Sequence, residues 1–346
     1  MASSKVNVHD SGEEIIVEYD VKRCQRCILS ENFPKIKFDE GICNFCRDYD
    51  TGGLSNGFLD NGLSMKQLQA IISTKPNRTY DCLALYSGGK DSSYMLHVIK
   101  SEIGLNPLAV TLDNGFIADA VLPNMKAVLD HLEIDHILIR PSMRFMKSLY
   151  RAAIVNVESH PEQIMYAASG CGSCISVLLS IAAQECIIRN IPLMVGGWTP
   201  GQLTDEAMLP GTFLEEICQR HFSKVKLQQP EVSNMIAKYK FIASEYPYLF
   251  NPLYKTGYDE KKVYETLHNF GWKKPQDTDS CSSNCRLNGL LVVDHIRKYG
   301  FHPYEYELAF HVRTGICSRE EALRKITHIE VNYNLINTVL NDLGMK

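Results

Sequence analysis

The chain of 346 residues has no long apolar run and no large excess of charge of either sign. No stretch approaches the roughly 20 unbroken apolar residues that a membrane-crossing helix needs, and the N-terminal segment lacks a basic stretch followed by an apolar one. We therefore expect a cytoplasmic protein that does not bind a membrane. The formal net charge of -4 gives no general attraction to nucleic acid, so RNA, including tRNA, is a disfavoured partner.

Residues 83–96, LALYSGGKDSSYML, match neither of the two commonest phosphate-binding motifs. The spacing G-x-x-x-x-G-K-[ST] is missing, and so is G-x-G-x-x-G. Instead an apolar, strand-like run leads into two glycines, which let backbone N–H groups approach an anion closely. A helix-like pattern follows and adds a positive N-terminal dipole, and the hydroxyls of Ser87, Ser92 and Ser93 can donate hydrogen bonds. The stretch therefore predicts a phosphate site.

Twelve cysteines in a chain that we expect to be cytoplasmic indicate metal binding or thiol chemistry rather than disulfides. Four of them form two C-x2-C pairs separated by 15 residues: Cys24, Cys27, Cys43 and Cys46. Two such pairs can place four thiolates tetrahedrally around one Zn2+. Because protein groups would fill all four positions, we expect a structural zinc ribbon rather than a catalytic metal centre.

Short apolar runs alternate with helical stretches from residue 80 onward, as in DCLALY, PLAVTL, DHILI and IPLMVGG. This alternation predicts βαβ units and a mainly parallel sheet that is covered on both faces. Ligands bind such sheets at the carboxyl ends of the strands, where SGGKDSS and LDNGF both fall. The sequence therefore predicts an α/β protein with its ligand site at that edge.

The order S-G-G-K-D-S after one strand, with TLDNG ending the next, resembles the PP-loop ATP pyrophosphatases, also called adenine nucleotide alpha hydrolases. The resemblance implies a reaction in which a carbonyl-type oxygen of an acceptor attacks the α-phosphate of ATP. Pyrophosphate leaves, and a second nucleophile then displaces AMP from the adenylate. The residues implied to hold the pyrophosphate are Ser87, Gly88, Gly89, Lys90, Asp91 and Ser92.

Individual roles also follow from this resemblance. Lys90 supplies charge against the leaving group, Asp91 helps to place Mg2+, and Asp113 corresponds to an acid near the adenosine. The alternative for Asp113, if the resemblance is set aside, is a polar cap at the end of a strand. Gly196, Gly197 and Gln202, in VGGWTPGQ, are candidates for the nucleotide or acceptor pocket, or form only a turn.

The resulting fold class is α/β, with a parallel-sheet PP-loop (HUP-like) domain, an N-terminal zinc ribbon and a mainly helical C-terminal region. We place the ribbon and a linker in residues 1–60, the ATP-binding domain in residues 61–202 and the helical region in residues 203–346. The glycine- and asparagine-rich stretch after the ribbon favours the first boundary.

Two further cysteine pairs, GCGSC and DSCSSNC, bear on the second nucleophile. Cys171 and Cys174 open a helix-like stretch, and a helix N-terminus lowers thiol pKa values. Their spacing from the PP-loop resembles the iron-sulfur branch of the tRNA 2-thiolation enzymes, in which three cysteines bind a [4Fe-4S] cluster. This implies Cys171, Cys174 and Cys285 as ligands, with Cys281 in reserve. A second structural zinc held by all four thiols, or buried free thiols, are the alternatives.

A second resemblance favours nitrogen instead of sulfur. The run CQRCILSENFPKIKFDEGICNFC followed by a PP-loop is similar to the bacterial N-acetyl sugar amidotransferases, which form acetamidino sugars with ammonia from a separate glutaminase. Ammonia transfer leaves the later cysteine pairs unexplained except as metal ligands, so we favour sulfur.

The departure of VGGWTPGQ from the more polar segment of the thiolation enzymes argues against tRNA. The expected partners are therefore a small-molecule or carrier-bound acceptor and a sulfur donor, or a glutaminase under the nitrogen reading. Self-association is left open. A nucleotide-binding protein without turnover is a third alternative.

Overall fold

The computed structural model describes residues 6–10, 15–19, 21–51, 65–155, 164–202, 207–214, 246–254, 258–278, 282–327 and 332–345. The strands, in chain order, are β1 Val6–Asp10, β2 Ile15–Tyr19, β3 Phe38–Asp39, β4 Ile42–Cys43, β5 Cys82–Leu85, β6 Pro107–Leu112, β7 Asp135–Ile139, β8 Leu193–Val195, β9 Met208–Leu209 and β10 Tyr248–Phe250.

The α-helices, in chain order, are α1 Asn44–Asp50, α2 Met65–Ser73, α3 Lys90–His97, α4 Val121–Leu132, α5 Met143–Val155, α6 Ser169–Ile188, α7 Glu260–Asn269, α8 Asn288–Tyr299, α9 Glu305–Thr314, α10 Arg319–Thr327 and α11 Tyr333–Leu343. A π-helical turn, Val98–Glu102, continues α3, and a 3-10 turn, Pro252–Tyr254, follows β10.

Six strands form one sheet in the order β7-β6-β5-β8-β10-β9. All neighbouring strands are parallel except β9, which runs antiparallel to β10. The residues of β5 and β6 are apolar almost throughout and all buried, as a strand covered on both faces requires. The predicted α/β fold with a mainly parallel sheet is confirmed, although the C-terminal region also contributes the short strands β9 and β10.

The direction of chain progression reverses between β5 and β8. From β5 the chain continues outward through β6 and β7, and then returns to add β8 and β10 on the other side. A reversal of this kind opens a crevice at the carboxyl ends of the two central strands, where open α/β sheets bind ligands. The SGGKDSS stretch follows β5 and the VGGW stretch follows β8, so both border the crevice.

Helix α6 is long and apolar enough to cross a membrane by length and composition. However, 56% of that apolar window is buried inside the protein, and its residues belong to the core on one face of the sheet. The hydroxyls of Ser173, Ser176 and Ser180 donate to carbonyls four residues earlier in the same helix. Their polar groups are thus satisfied, and α6 serves as the central core helix.

The N-terminal cysteine region is joined to the C-terminal helices. The guanidinium of Arg319 donates to the carbonyls of Cys27 and Cys24 at 2.9 and 3.2 Å. The buried carboxylate of Glu305 accepts from the N–H and the hydroxyl of Ser30 and forms an ion pair with Arg23. These contacts fix the ribbon against α9 and α10.

Candidate functional site

The first candidate site is the four-cysteine group of the ribbon. The Sγ atoms of Cys24, Cys27, Cys43 and Cys46 all lie within 4.8 Å of one another, and all four residues are buried. Among the residues that the structure describes, this is the only group of three or more metal-binding side chains with ligand atoms so close together. Four thiolates around one point with no open position fit a tetrahedral structural Zn2+. The group of four predicted from C-x2-C spacing is therefore assembled as expected; its metal stays a prediction.

We expect the variant Cys43→Ser to lose this zinc and to unfold at a lower temperature. A structural zinc contributes folding free energy, and a hydroxyl is a poor replacement for a thiolate ligand. Zinc analysis should fall from about one ion to none per chain, together with the melting temperature. The half-buried Cys317, outside the group, provides the control: Cys317→Ser should keep the metal. A stable, zinc-free Cys43→Ser protein would contradict the prediction.

The second candidate site is the loop between β5 and α3. Gly88 has φ +74, and a Cβ there would lie 2.5 Å from a methyl of Val121, so glycine is required on both counts. Three N–H groups of the loop donate hydrogen bonds to hydroxyl oxygens. The N–H of Ser87 donates to Ser92, that of Gly89 to Ser87, and that of Lys90 to Ser283, at 3.2, 3.4 and 3.0 Å. The loop thus presents N–H donors to oxygen atoms, as a phosphate cradle requires.

Ser93 and Gly197 both lie next to this cradle, but only Gly197 lines it. The hydroxyl of Ser93 points away to the Tyr86 hydroxyl, so its expected donation to phosphate is wrong. Gly197, after β8, meets the cradle directly: a Cβ there would lie 2.8 Å from the Cα of Ser92. At Gly196 the ring of Trp198 occupies the space that a Cβ would need. Glycine at 197 therefore allows the two strand ends to meet.

The side chains of Lys90 and Asp91 are paired in this structure. The Lys90 Nζ lies 2.8 and 3.0 Å from the carboxylate oxygens of Asp91 and donates to the Tyr258 hydroxyl at 2.7 Å. The Tyr258 hydroxyl donates to Asp91 at 2.6 Å, and Glu260 lies 3.4 Å from the lysine. Burial lowers the pKa of Lys90, but the charges of Asp91 and Glu260 outweigh it and hold the pKa well above its usual value. The lysine therefore stays a cation beside the cradle.

Sequence reasoning missed Tyr258 and Glu260. They are separated from Lys90 by 168 and 170 positions, and neither belongs to a motif. Glu260 is the first residue of α7, which Asp259 caps by accepting from the N–H groups of Lys261 and Lys262. The capped helix start holds Glu260 beside the cradle.

Asp113 lies just beyond β6. Its carboxylate accepts from the Gly115 N–H at 2.9 Å and lies 3.4 Å from the exposed Arg140 side chain. These are the contacts of a strand-end cap. The part expected of Asp113 near the adenosine stays a prediction.

The third candidate site brings Cys174 and Cys285 to Asn114, while the nearby thiol of Cys171 donates to the side-chain oxygen of Asn288 at 3.5 Å. The amide of Asn114 donates to the sulfurs of Cys285 and Cys174 at 3.5 and 3.9 Å. The pKa of the Tyr150 hydroxyl is raised by burial and by three nearby thiols, those of Cys174, Cys285 and Cys171. The three sequence-predicted cysteines therefore lie in one neighbourhood, beside the strand end that carries Asp113.

Helix α6 begins earlier than predicted, and this changes the thiol chemistry. The helix starts at Ser169, so Cys174 lies in its second turn rather than at its first residue. Burial raises the pKa of Cys174 to about 11, and the Tyr150 hydroxyl only partly offsets this. The expected lowering of its pKa by the helix N-terminus is therefore wrong, because burial dominates. A bound metal would have to displace the proton from this thiol.

The donor set of three thiols matches the ligands that iron-sulfur clusters use. The three sulfurs do not form a group within 4.8 Å as the ribbon sulfurs do. Ligands of a cluster bind different irons and so lie farther apart than ligands of one zinc ion, and thiolates are the usual cluster ligands. The amide of Asn114 supplies hydrogen bonding to two sulfurs. The reserve ligand Cys281 lies outside the described residues.

A short segment, Ser282–Cys285, joins the cysteine site to the cradle. Cys285 forms an antiparallel bridge with Ile117, and the carbonyl of Asn284 accepts from the Ala118 N–H at 3.0 Å. At its other side, the Ser283 hydroxyl accepts from the Lys90 N–H at 3.0 Å. Sequence reasoning used only the cysteine of SSNC; the three polar residues before it were the available signal.

Gln202 does not face the cradle. Its amide donates to both carboxylate oxygens of Glu307 at 3.0 Å, and Thr199 donates to the same carboxylate. Gln202 thus ties the turn after β8 to α9, which agrees with the turn alternative.

Burial raises the pKa of Glu307 to about 7, more than its hydrogen bonds from Thr199 and Gln202 lower it. Between its ordinary value of 4.5 and about 7, the folded chain keeps this proton and the unfolded chain releases it. Stability should therefore fall as the pH rises through that window, by about 3 kcal/mol. Glu307→Gln keeps a neutral amide and should lose this dependence. Urea midpoints at about pH 5 and about pH 8 test it, and parallel pH profiles for the two proteins would contradict it.

The chain matches no protein-family model. One curated relative, a protein of uncharacterised function from Methanocaldococcus jannaschii, is 26% identical over 263 residues, which are 75% of this chain and 78% of the relative. The solved structures that match include a predicted subunit of a tRNA methyltransferase from the same organism. It is 18% identical, covers 65% of this chain and 91% of its own, and has a TM-score of 0.32.

Two further solved structures are an NH3-dependent NAD synthetase from Campylobacter jejuni and a U34-tRNA thiolase from Methanococcus maripaludis with its [4Fe-4S] cluster. The first is 11% identical, covers 51% of this chain and 94% of its own, with a TM-score of 0.30. The second is 14% identical, covers 76% and 79%, and has a TM-score of 0.32. All three neighbours belong to the PP-loop ATP pyrophosphatase superfamily. The roles of individual residues rest on the motif at residues 87–92 and on the geometry of this chain.

Proposed function

We propose that this protein is an ATP-dependent enzyme that adenylates a carbonyl-type oxygen of an acceptor and replaces that oxygen with sulfur. The observation that supports it most is the joining of the Ser87–Ser92 loop to Cys285 by one short segment. An adenylating site needs an anion cradle, and a sulfur-transferring site needs thiols near the activated carbon. This chain carries both at neighbouring strand ends.

In the first step the acceptor oxygen bonds to the α-phosphorus of ATP and the bond to the bridging oxygen breaks. The N–H groups of the cradle and the cation of Lys90 stabilise the charge that develops on the leaving pyrophosphate. Asp91 is the candidate ligand for Mg2+; its carboxylate is now shared by Lys90 and Tyr258, so binding of a metal would compete with the tyrosine proton.

In the second step sulfur attacks the activated carbon and AMP leaves. Cys171, Cys174 and Cys285 would hold a [4Fe-4S] cluster, which supplies a site for inorganic sulfide when it is bound. Asn114 would orient two of the three ligands by its amide hydrogen bonds.

A second candidate is the transfer of ammonia nitrogen to an N-acetyl sugar. The close assembly of the four ribbon cysteines favours it, because the amidotransferase resemblance begins with that run. Under this proposal a separate glutaminase supplies ammonia, and the later cysteines serve only as metal ligands.

The test incubates the full chain, purified without oxygen, with Mg-ATP and one acceptor at a time, and measures AMP and pyrophosphate. Nucleoside thiolation substrates and nucleotide-linked N-acetyl sugars are the two acceptor classes, and each is supplied with sulfide or with ammonium. Sulfide-dependent AMP formation supports the sulfur proposal, and ammonium-dependent AMP formation with a sugar supports the second. ATP binding without pyrophosphate release from any acceptor would contradict both and leave the nucleotide-binding alternative.

A further inference from the structure

The Lys90 N–H is the first backbone donor of α3, and N–H groups at a helix N-terminus are the ones that bind phosphate oxygens. In this structure its acceptor is the Ser283 hydroxyl, at 3.0 Å, which comes from 193 positions farther along the chain. The other hydroxyl oxygens on cradle donors belong to Ser87 and Ser92, which are part of the loop itself. Among the residues that the structure describes, Ser283 is therefore the one hydroxyl from a distant segment that accepts from an N–H group of the cradle.

The Ser283 hydroxyl stands over the loop as well as at its edge. It lies 3.0 Å from the point where a Cβ would stand at Gly89, and the Asn284 side chain lies 3.5 Å from the same point. The amide of Asn284 also donates weakly to the carbonyl of Ser87, at 3.5 Å. A phosphate oxygen that accepts from the same N–H would occupy this volume, so Ser283 and pyrophosphate compete for one donor.

The opposite side of the segment carries the thiol. Cys285 receives a hydrogen bond from Asn114 at 3.5 Å and is bridged to Ile117, while the Ser282 hydroxyl accepts from the N–H groups of Asn284 and Cys285. Only Asn284 separates Ser283 from Cys285. The segment that contacts the cradle through Ser283 therefore also carries the thiol of Cys285.

We propose that Ser283 is a further residue of the phosphate site, one that fills a phosphate-oxygen position in the free protein and couples the setting of Cys285 to nucleotide binding. The inference rests on the proposed function, because it assumes that the cradle binds the pyrophosphate part of ATP. The consequence of this coupling is that the setting of the Cys285 thiol depends on whether ATP is bound. By linkage, any ligand that fixes Cys285 in the free arrangement weakens nucleotide binding to the same extent.

The first measurement is the affinity of the full chain for inorganic pyrophosphate with Mg2+, by calorimetry. Ser283→Ala removes the competing acceptor and should tighten binding about two- to tenfold, the range of one neutral hydrogen bond. Mere damage to the fold would weaken binding instead. Ser93→Ala is the matched control, since its hydroxyl contacts Tyr86 rather than the cradle, and it should leave the affinity unchanged. Weaker or equal binding by Ser283→Ala would overturn the proposal.

The second measurement is the alkylation rate of Cys285 in the full chain, purified in air and reduced, by peptide mass spectrometry. Pyrophosphate or a non-hydrolysable ATP analogue should raise the rate in the parent protein. Ser283→Ala should react fast with or without nucleotide, and Cys171, on α6, should keep its rate throughout as an internal control. Nucleotide that binds without changing the Cys285 rate overturns the coupling alone. Absence of any nucleotide binding overturns the proposed function and the coupling with it.

Discussion

ATP-to-AMP turnover should be lost in Asp91→Asn and in Ser87→Ala, by at least about 100-fold, the usual cost of one group that stabilises developing charge. Asp91 is held by Lys90 and Tyr258 and is the candidate Mg2+ ligand, so the amide removes the charge but keeps the shape. Ser87 accepts from the Gly89 N–H and contacts the Ser92 hydroxyl, so alanine removes a hydroxyl from the cradle itself. Acceptor-dependent AMP formation, followed by chromatography, measures both.

The fold should survive these changes, because both side chains border the crevice rather than the core. Circular dichroism and the melting temperature should therefore match those of the parent chain. Ser93→Ala, on the same helix, serves as the activity control and should keep its turnover. Unchanged AMP formation in both Asp91→Asn and Ser87→Ala would refute the assignment of the cradle.

Protein prepared without oxygen should be brown, with about four irons per chain and an absorbance that bleaches in air. Alanine at Cys171, Cys174 or Cys285 should abolish this colour and the sulfur transfer, because each removes one thiolate of the set. Adenylation should persist, since the pyrophosphate groups belong to a different strand end. Iron and sulfide analysis together with AMP formation separates the two steps.

Two controls sharpen this prediction. Cys281→Ala should have a milder effect if Cys285 is the third ligand, and Cys317→Ala should retain the iron because Cys317 lies among the C-terminal helices. Colourless anaerobic protein with two zincs per chain would refute the cluster. It would favour the second-zinc alternative and move the proposal to ammonia transfer with a nucleotide-linked N-acetyl sugar.

Much of the cradle was predictable because its determinants are local. The glycines and serines of residues 87–92 are nearly consecutive in the chain, and the apolar run before them forms the buried strand β5. The four ribbon cysteines are similar, since each C-x2-C pair forms one tight turn. In contrast, the pKa of Cys174 was predicted in the wrong direction, because burial raises it more than the hydrogen bonds with Tyr150 and Asn114 lower it.

The sequence by itself determined the parallel α/β sheet, the position of the phosphate loop at a strand end and the four-cysteine ribbon, because strand period, glycine placement and cysteine spacing act over a few residues. Only the tertiary structure decided which distant side chains meet there. Tyr258 reaches Lys90 from 168 positions away and Ser283 from 193, and Gln202 turns to Glu307 rather than to the cradle. Such contacts depend on how whole helices pack across the sheet reversal, and no local spacing records that.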